Sequence, residues 1–253
     1  MRTLRDGMRH QGLLQTAWRT LNVLYRMMLE LDPSKRKARY GDLDYDLEHS
    51  VNTTRSNVAL KTQLTAALAG HLYFATEPYL FEEIMRALPA DLRDFTFVDL
   101  GSGKGRVLLM ASDCPFRRIV GVEFLRELHE SAAENIARYS NERQQCRNIE
   151  SVCMDVRDFE FPPGPLVIYM FNALPEPVFA HVLDNLRRSV QANPRPLFIC
   201  YRYLEFEDLL KECGWLTKAD GTAHWAVYGN RVIWFDPKSH AASVIHLDSL
   251  KKA

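Results

Sequence analysis

The segment FTFVDLGSGKGRVLLMA, residues 95–111, joins an apolar run to three glycines in five positions and then to a second apolar stretch. An unbroken run such as FTFVDL fits a strand buried on both faces, the kind found inside parallel sheets. Gly101, Gly103 and Gly105 turn the chain, and a helix carrying Val107, Leu108 and Met110 follows at once. In an open parallel sheet such a loop falls beyond the carboxyl end of a strand, where ligands bind. Glycine there permits a positive φ and removes the side chain that would block a bound group.

The rhythm continues downstream. Apolar runs RIVGVEF (118–124), IESVCM (149–154), PLVIYMF (165–171) and PRPLFICY (194–201) alternate with helical patterns near 104–113, 125–140, 176–191 and 205–213. Strands alternating with helices predict consecutive βαβ units. HWAVY (224–228), Gly229 and Asn230, then RVIWF (231–235) predict a closing hairpin. The expected fold is α/β: a Rossmann-like, seven-stranded, mostly parallel sheet with helices on both faces. Upstream, QGLLQTAWRTLNVLYRMMLEL (11–31) has amphipathic helical spacing, and further helices are predicted over 57–69 and 78–88. Residues 1–90 therefore form a helical N-terminal extension, expected to cover the substrate or contact another subunit, and 91–253 the sheet domain. Pro33 and SKRKARYGDLDYD (34–46) fit a linker, with the acidic GDLDYDLEH (41–49) as solvated surface.

Composition narrows the class. The 32 basic and 32 acidic residues cancel, which gives no support to a general nucleic-acid binder. The five cysteines form no CxxC pair and no metal-ligand spacing, so reduced thiols in a cytoplasmic protein are expected. No apolar run reaches the roughly 20 residues that span a bilayer. The basic start runs into an amphipathic segment and lacks a secretion-signal core. Residues 1–39 hold nine Lys or Arg against three Asp or Glu, and this basic helix would permit dimerisation or membrane-surface contact.

Three familiar glycine loops fail against these letters. A phosphate loop needs Ser or Thr after Gly103-Lys104, where Gly105 stands. The dinucleotide fingerprint needs glycine at Arg106, and the nucleophile elbow needs glycine at Leu100. What remains is an acid, one apolar residue and GxGxG.

That pattern, DLGSGKG led by Asp99, resembles the first motif of class I S-adenosylmethionine-dependent methyltransferases, and the similarity is collinear over about residues 95–215. The resemblance implies S-adenosylmethionine as cofactor, with S-adenosylhomocysteine as product. It places Gly101, Ser102, Gly103 and Gly105 around that cofactor and Asp99 near its methionine end. Glu123, followed by Phe124, stands where the family accepts the ribose hydroxyls; Asp155 and Val156 stand where it binds the adenine. HLYFATEPYLF (71–81) resembles the segment before this motif in Dot1-like protein-lysine methyltransferases, where Tyr, Pro and Thr reach the methionine part of the cofactor; the resemblance makes Thr76 a cofactor-binding residue, with Tyr73 also matching and Ala75 in place of proline. Bacterial methyltransferases of unassigned substrate share the same features.

On the acceptor side the family uses the loop after the fourth strand, here YMFNALPEP (169–177). Asn172, Tyr169, Tyr73 and Tyr201 are the candidate catalytic residues. The missing proline pair after Asn172 argues against a DNA adenine or glutamine-amide methyltransferase. The expected reaction moves a methyl group to an N or O nucleophile of a small molecule or a protein side chain. Two rivals remain: an NAD-dependent oxidoreductase, disfavoured by Arg106 and by the lack of a Tyr-x-x-x-Lys pair, and a non-catalytic scaffold that keeps the cofactor pocket.

Overall fold

A computed structural model describes residues 44–54, 75–171 and 174–230, with the backbone of 233–235 and 242–244. The helices expected over 11–31 and 57–69 lie outside the described residues.

β1 (Thr96–Leu100) is buried along its whole length. β2 (Arg118–Glu123), β4 (Leu166–Phe171) and β5 (Leu197–Arg202) are almost as deep, which is why their sequences show no polar alternation. With β3 (Ile149–Cys153), β6 (Leu216–Gly221) and β7 (Trp225–Asn230) they form a seven-stranded sheet in the order β3-β2-β1-β4-β5-β7-β6. β1 to β5 are parallel, and β7 and β6 add antiparallel. The order reverses between β1 and β4, so a crevice opens at the carboxyl ends of these two strands.

Among the described residues five helices cover the sheet. On one face α1 (Pro78–Arg86) buries Leu80, Phe81 and Ile84, and α2 (Arg106–Ala111) buries Val107, Leu108 and Leu109. Phe97 is the hub there, with ring centres 6.2 Å from Phe81, 5.0 Å from Phe116 and 6.1 Å from Tyr169. α3 (Arg126–Arg138) lies over β2 and β3. On the other face α4 (Glu176–Ala192) buries Phe179, Val182 and Leu186, and α5 (Glu207–Glu212) buries Leu210. α1, assigned from sequence to the N-terminal extension, is thus part of the sheet's own core.

The closing hairpin differs from expectation. It pairs β6 with β7 across residues 222–224, and Gly229 and Asn230 continue β7 where a turn was expected. Asn230 is buried; its Oδ1 accepts the Leu197 N–H at 3.2 Å and its Nδ2 donates to the Arg195 carbonyl at 2.8 Å. Gly229 is small because the Phe198 ring stands 3.3 Å from where a Cβ would be. RVIWF instead supplies β8 (Ile233–Phe235), which pairs with β9 (Ala242–Val244) in a separate two-stranded sheet. β6 escaped notice because LTKADG is an edge strand with an exposed, polar middle and an irregular register between Lys218 and Asp220.

Candidate active site

The glycine loop is built as its letters suggest. Gly101, Gly103 and Gly105 have φ values of 83°, 55° and 83°, a left-handed region that favours glycine. The Val122 carbonyl holds the loop to β2 by accepting the N–H of Gly101 at 2.8 Å and of Ser102 at 3.1 Å. Ser102 is buried and its Oγ has no hydrogen-bond partner among the described residues. Gly121 of β2 lets the loop lie this close: a Cβ there would stand 2.6 Å from both Ser102 Oγ and Leu108 Cδ1. Gly121→Ala is therefore expected to cost about 1–3 kcal/mol by overpacking, read as a lower denaturant midpoint.

The three acids stand at the carboxyl ends of adjacent strands. Asp99, 3% exposed, is the next-to-last residue of β1. Burial, reinforced by the charge of Glu123, pushes its carboxyl well above the ordinary range. Glu123 ends β2, and its two oxygens accept the N–H groups of Gly103 and Leu125, each at 2.8 Å. Burial raises this carboxyl, and these backbone donors oppose the rise. Each oxygen retains a lone pair, which leaves capacity for two further donors. Beyond β3, Asp155 caps the short turn Val156–Asp158 by accepting the Arg157 N–H. The Arg157 side chain also grips Asp155, with Nε at 3.0 Å, and holds its carboxyl below the ordinary value. Val156 is buried beside it, whereas Phe124 is 68% exposed at the rim.

Thr76 and Tyr169 meet Oγ1 to hydroxyl at 3.0 Å, both buried. Tyr201 does not join them. It packs on the opposite face of the sheet against Phe179 and accepts the Phe206 N–H at 3.2 Å, so it serves the core. Tyr73 and Asn172 lie outside the described residues.

One cluster was not foreseen. Arg106, weighed only as a missing glycine, is 2% exposed and reaches residues 44–54, the first part of which, 44–49, was taken as linker and solvated surface. Its Nε donates to Thr53 Oγ1 at 2.6 Å, and its Nη2 to Thr54 Oγ1 at 2.5 Å and to Asp46 at 3.2 Å. The guanidinium also stacks on the Tyr45 ring, 5.0 Å from its centre. Burial alone would raise the Asp46 carboxyl, but the hydroxyl and N–H of Thr53 and the N–H of Thr54 bring it below its ordinary value. Asn52 accepts from Lys104 Nζ at 3.1 Å, while Asn135 donates to the Lys104 carbonyl at 2.9 Å. The glycine loop is thus clamped from outside by residues 44–54. Among the described residues no group of three His, Cys, Asp or Glu is placed to hold a metal, and no helix is long and apolar enough to cross a membrane.

Residues 97–193 match the family model described as "Methyltransferase domain". This segment is a class I methyltransferase domain. Its methyl donor is S-adenosylmethionine. The buried Asp99, the unpartnered Ser102 Oγ and the left-handed glycines of the methyltransferase domain are the features this donor fits.

Among solved structures, the domain is similar to the 23S rRNA methyltransferase ErmE, with TM-score 0.45 and 16% identity over 71% of this chain and 75% of that one. Phosphoethanolamine N-methyltransferase 1 of Haemonchus contortus gives 0.38 and 19%, over 48% of this chain and 24% of its own length. An S-adenosylmethionine-dependent methyltransferase from Geobacter sulfurreducens gives 0.38 and 18%, over 50% and 49%. No curated protein sequence matches this chain.

Proposed function

We propose that the chain transfers a methyl group from S-adenosylmethionine to a nitrogen or oxygen nucleophile of a small molecule or protein side chain, by in-line displacement. The arrangement that carries this reading is the left-handed glycine turn with Asp99 and Glu123 buried at the ends of neighbouring strands. The bound donor's sulfonium supplies a methyl group already activated for transfer. The chain's own work is alignment and exclusion of water. Glu123 has free lone pairs for ribose hydroxyls, Asp99 offers a carboxyl to the cationic end, and Thr76 on the methionine side positions the acceptor-side Tyr169 through their hydrogen bond. Calorimetric titration with S-adenosylhomocysteine and with NAD tests this: micromolar affinity for the first and none for the second is expected, and the reverse would sink it. Transfer of labelled methyl into a cell extract separates an enzyme from a scaffold, since label absent from every fraction would favour the scaffold.

A pH dependence follows from Asp99. Its folded pKa lies above the ordinary 3.8, so the folded protein holds a proton that the unfolded chain releases. The resulting stability is present at low pH and is lost as pH rises from 3.8 toward the folded value. A cationic ligand beside Asp99 favours the carboxylate, so binding expels a proton. S-adenosylhomocysteine, through its ammonium group, is expected to bind more tightly as pH rises through this window, and Asp99→Asn to flatten the slope. Calorimetry in buffers of unequal ionisation enthalpy reads the proton directly.

A further inference from the structure

Among the described residues, two buried N–H donors on one face of the sheet have no partner: Nη1 of Arg202 and Nε1 of Trp225. Both residues are shielded, at 9% and 3% exposure. They are neighbours by construction, because Arg202 ends β5 and is the register partner of Trp225 at the start of β7, which sends the two side chains to the same face. Arg202 is equally the register partner of Phe171, the last residue of β4, and its guanidinium lies 3.9 Å from the centre of that ring. This is the carboxyl edge of the sheet, one strand beyond Tyr169.

The place is held firmly. Tyr203, directly after Arg202, takes the left-handed conformation at φ 65°, which is rare for a residue with a side chain, and its N–H donates to the His224 carbonyl at 2.9 Å. Glu77, which precedes α1 and follows Thr76, forms an ion pair with Arg202 Nη2 and is the more exposed member at 37%. Buried donors without an acceptor are uncommon in folded proteins and mark a position that a water or a ligand oxygen completes.

We infer that Arg202 and Trp225 form a two-donor clamp for an uncharged carbonyl oxygen of the methyl acceptor, which makes them specificity-determining residues. The inference rests on the proposed transferase reading, because it takes this edge of the crevice as the acceptor side. Charge decides between oxygen types. The Glu77 carboxylate already neutralises the guanidinium, so a second anion would meet attraction and repulsion of similar size. A neutral carbonyl meets neither penalty and satisfies both N–H groups. The Phe171 and Trp225 rings suit a planar carrier such as an amide or an aromatic ring bearing that oxygen.

The test uses the full chain saturated with S-adenosylhomocysteine and labelled with nitrogen-15, the Trp225 indole resonance being assigned with Trp225→Phe. N-methylacetamide is expected to shift that resonance, and acetate at equal concentration to leave it in place. Arg202→Gln is expected to abolish the shift while S-adenosylhomocysteine affinity stays within twofold. Arg202→Lys, which keeps the ion pair with Glu77, guards against a folding defect and is expected to lose the shift as well. A shift with acetate equal to that with the amide overturns the inference in favour of an anion site. No shift with either probe, together with a water cross-peak to the indole N–H, overturns it in favour of a resident water. An unchanged shift in both Arg202 variants also overturns it. Failure of the unmodified protein to bind S-adenosylhomocysteine is a separate outcome, and it removes the transferase reading itself.

Discussion

Replacing Arg106 by alanine is expected to destabilise the fold by about 3–5 kcal/mol, the usual cost of leaving one member of a buried ion pair alone. For a domain of this size that is roughly a 10 °C fall in melting temperature. Asp46 would keep its bonds from Thr53 and Thr54 but lose the charge that offsets its own, with both Thr hydroxyls losing a donor. Arg106→Lys should recover less than half of the loss, because one ammonium cannot reproduce the fork that meets Asp46, Thr53 and Thr54 together. Calorimetric melting of the two variants reads both numbers. A fall below 2 °C for the alanine variant would mean that the segment 44–54 contributes little to holding α2.

Glu123→Ala tests the opposite balance, with binding lost and stability kept. Burial disfavours the Glu123 carboxylate while the N–H groups of Gly103 and Leu125 favour it, so its removal relieves a desolvation cost as it gives up two bonds. Melting should move by only a few degrees. Affinity for S-adenosylhomocysteine should fall about 100-fold, equivalent to about 2.7 kcal/mol, since two charge-assisted bonds to hydroxyls disappear and the Gly103 N–H swings free. Glu123→Gln, which keeps one acceptor oxygen, should fall in between. Calorimetric titration of the three proteins checks the order, and equal affinity in all three would remove Glu123 from the ribose site.

The parts that sequence made legible are those where one residue type answers one physical demand. Strands buried on both faces must be apolar throughout, so β1, β2, β4 and β5 stood out, and left-handed turns select glycine, so the loop stood out too. Acids at strand ends could be placed because the strands placed them. Partnerships across long stretches of chain were not legible. Asp46 sits in an acidic run that any local reading sends to solvent, yet it is buried against an arginine 60 residues away. Gly229 looked like a turn, whereas a Phe198 ring is the cause of its small size. Tyr201 looked like an acceptor-side residue because it lies near a strand end; the alternation of faces along β5 turns it away from Tyr169. The two unpaired donors at Arg202 and Trp225 carry no local signature at all.

The clamp on the glycine loop has a consequence for modularity. The segment that the family model covers begins at residue 97, but the buried contacts of its glycine loop and α2 reach back to Asp46. A gene fragment cut at the family boundary would carry the Arg106 charge into a protein interior with no counter-ion to meet it. The methyltransferase core of this chain is therefore not an exchangeable cassette: recombination or domain grafting must carry the tract from residue 44 onward as part of the same piece.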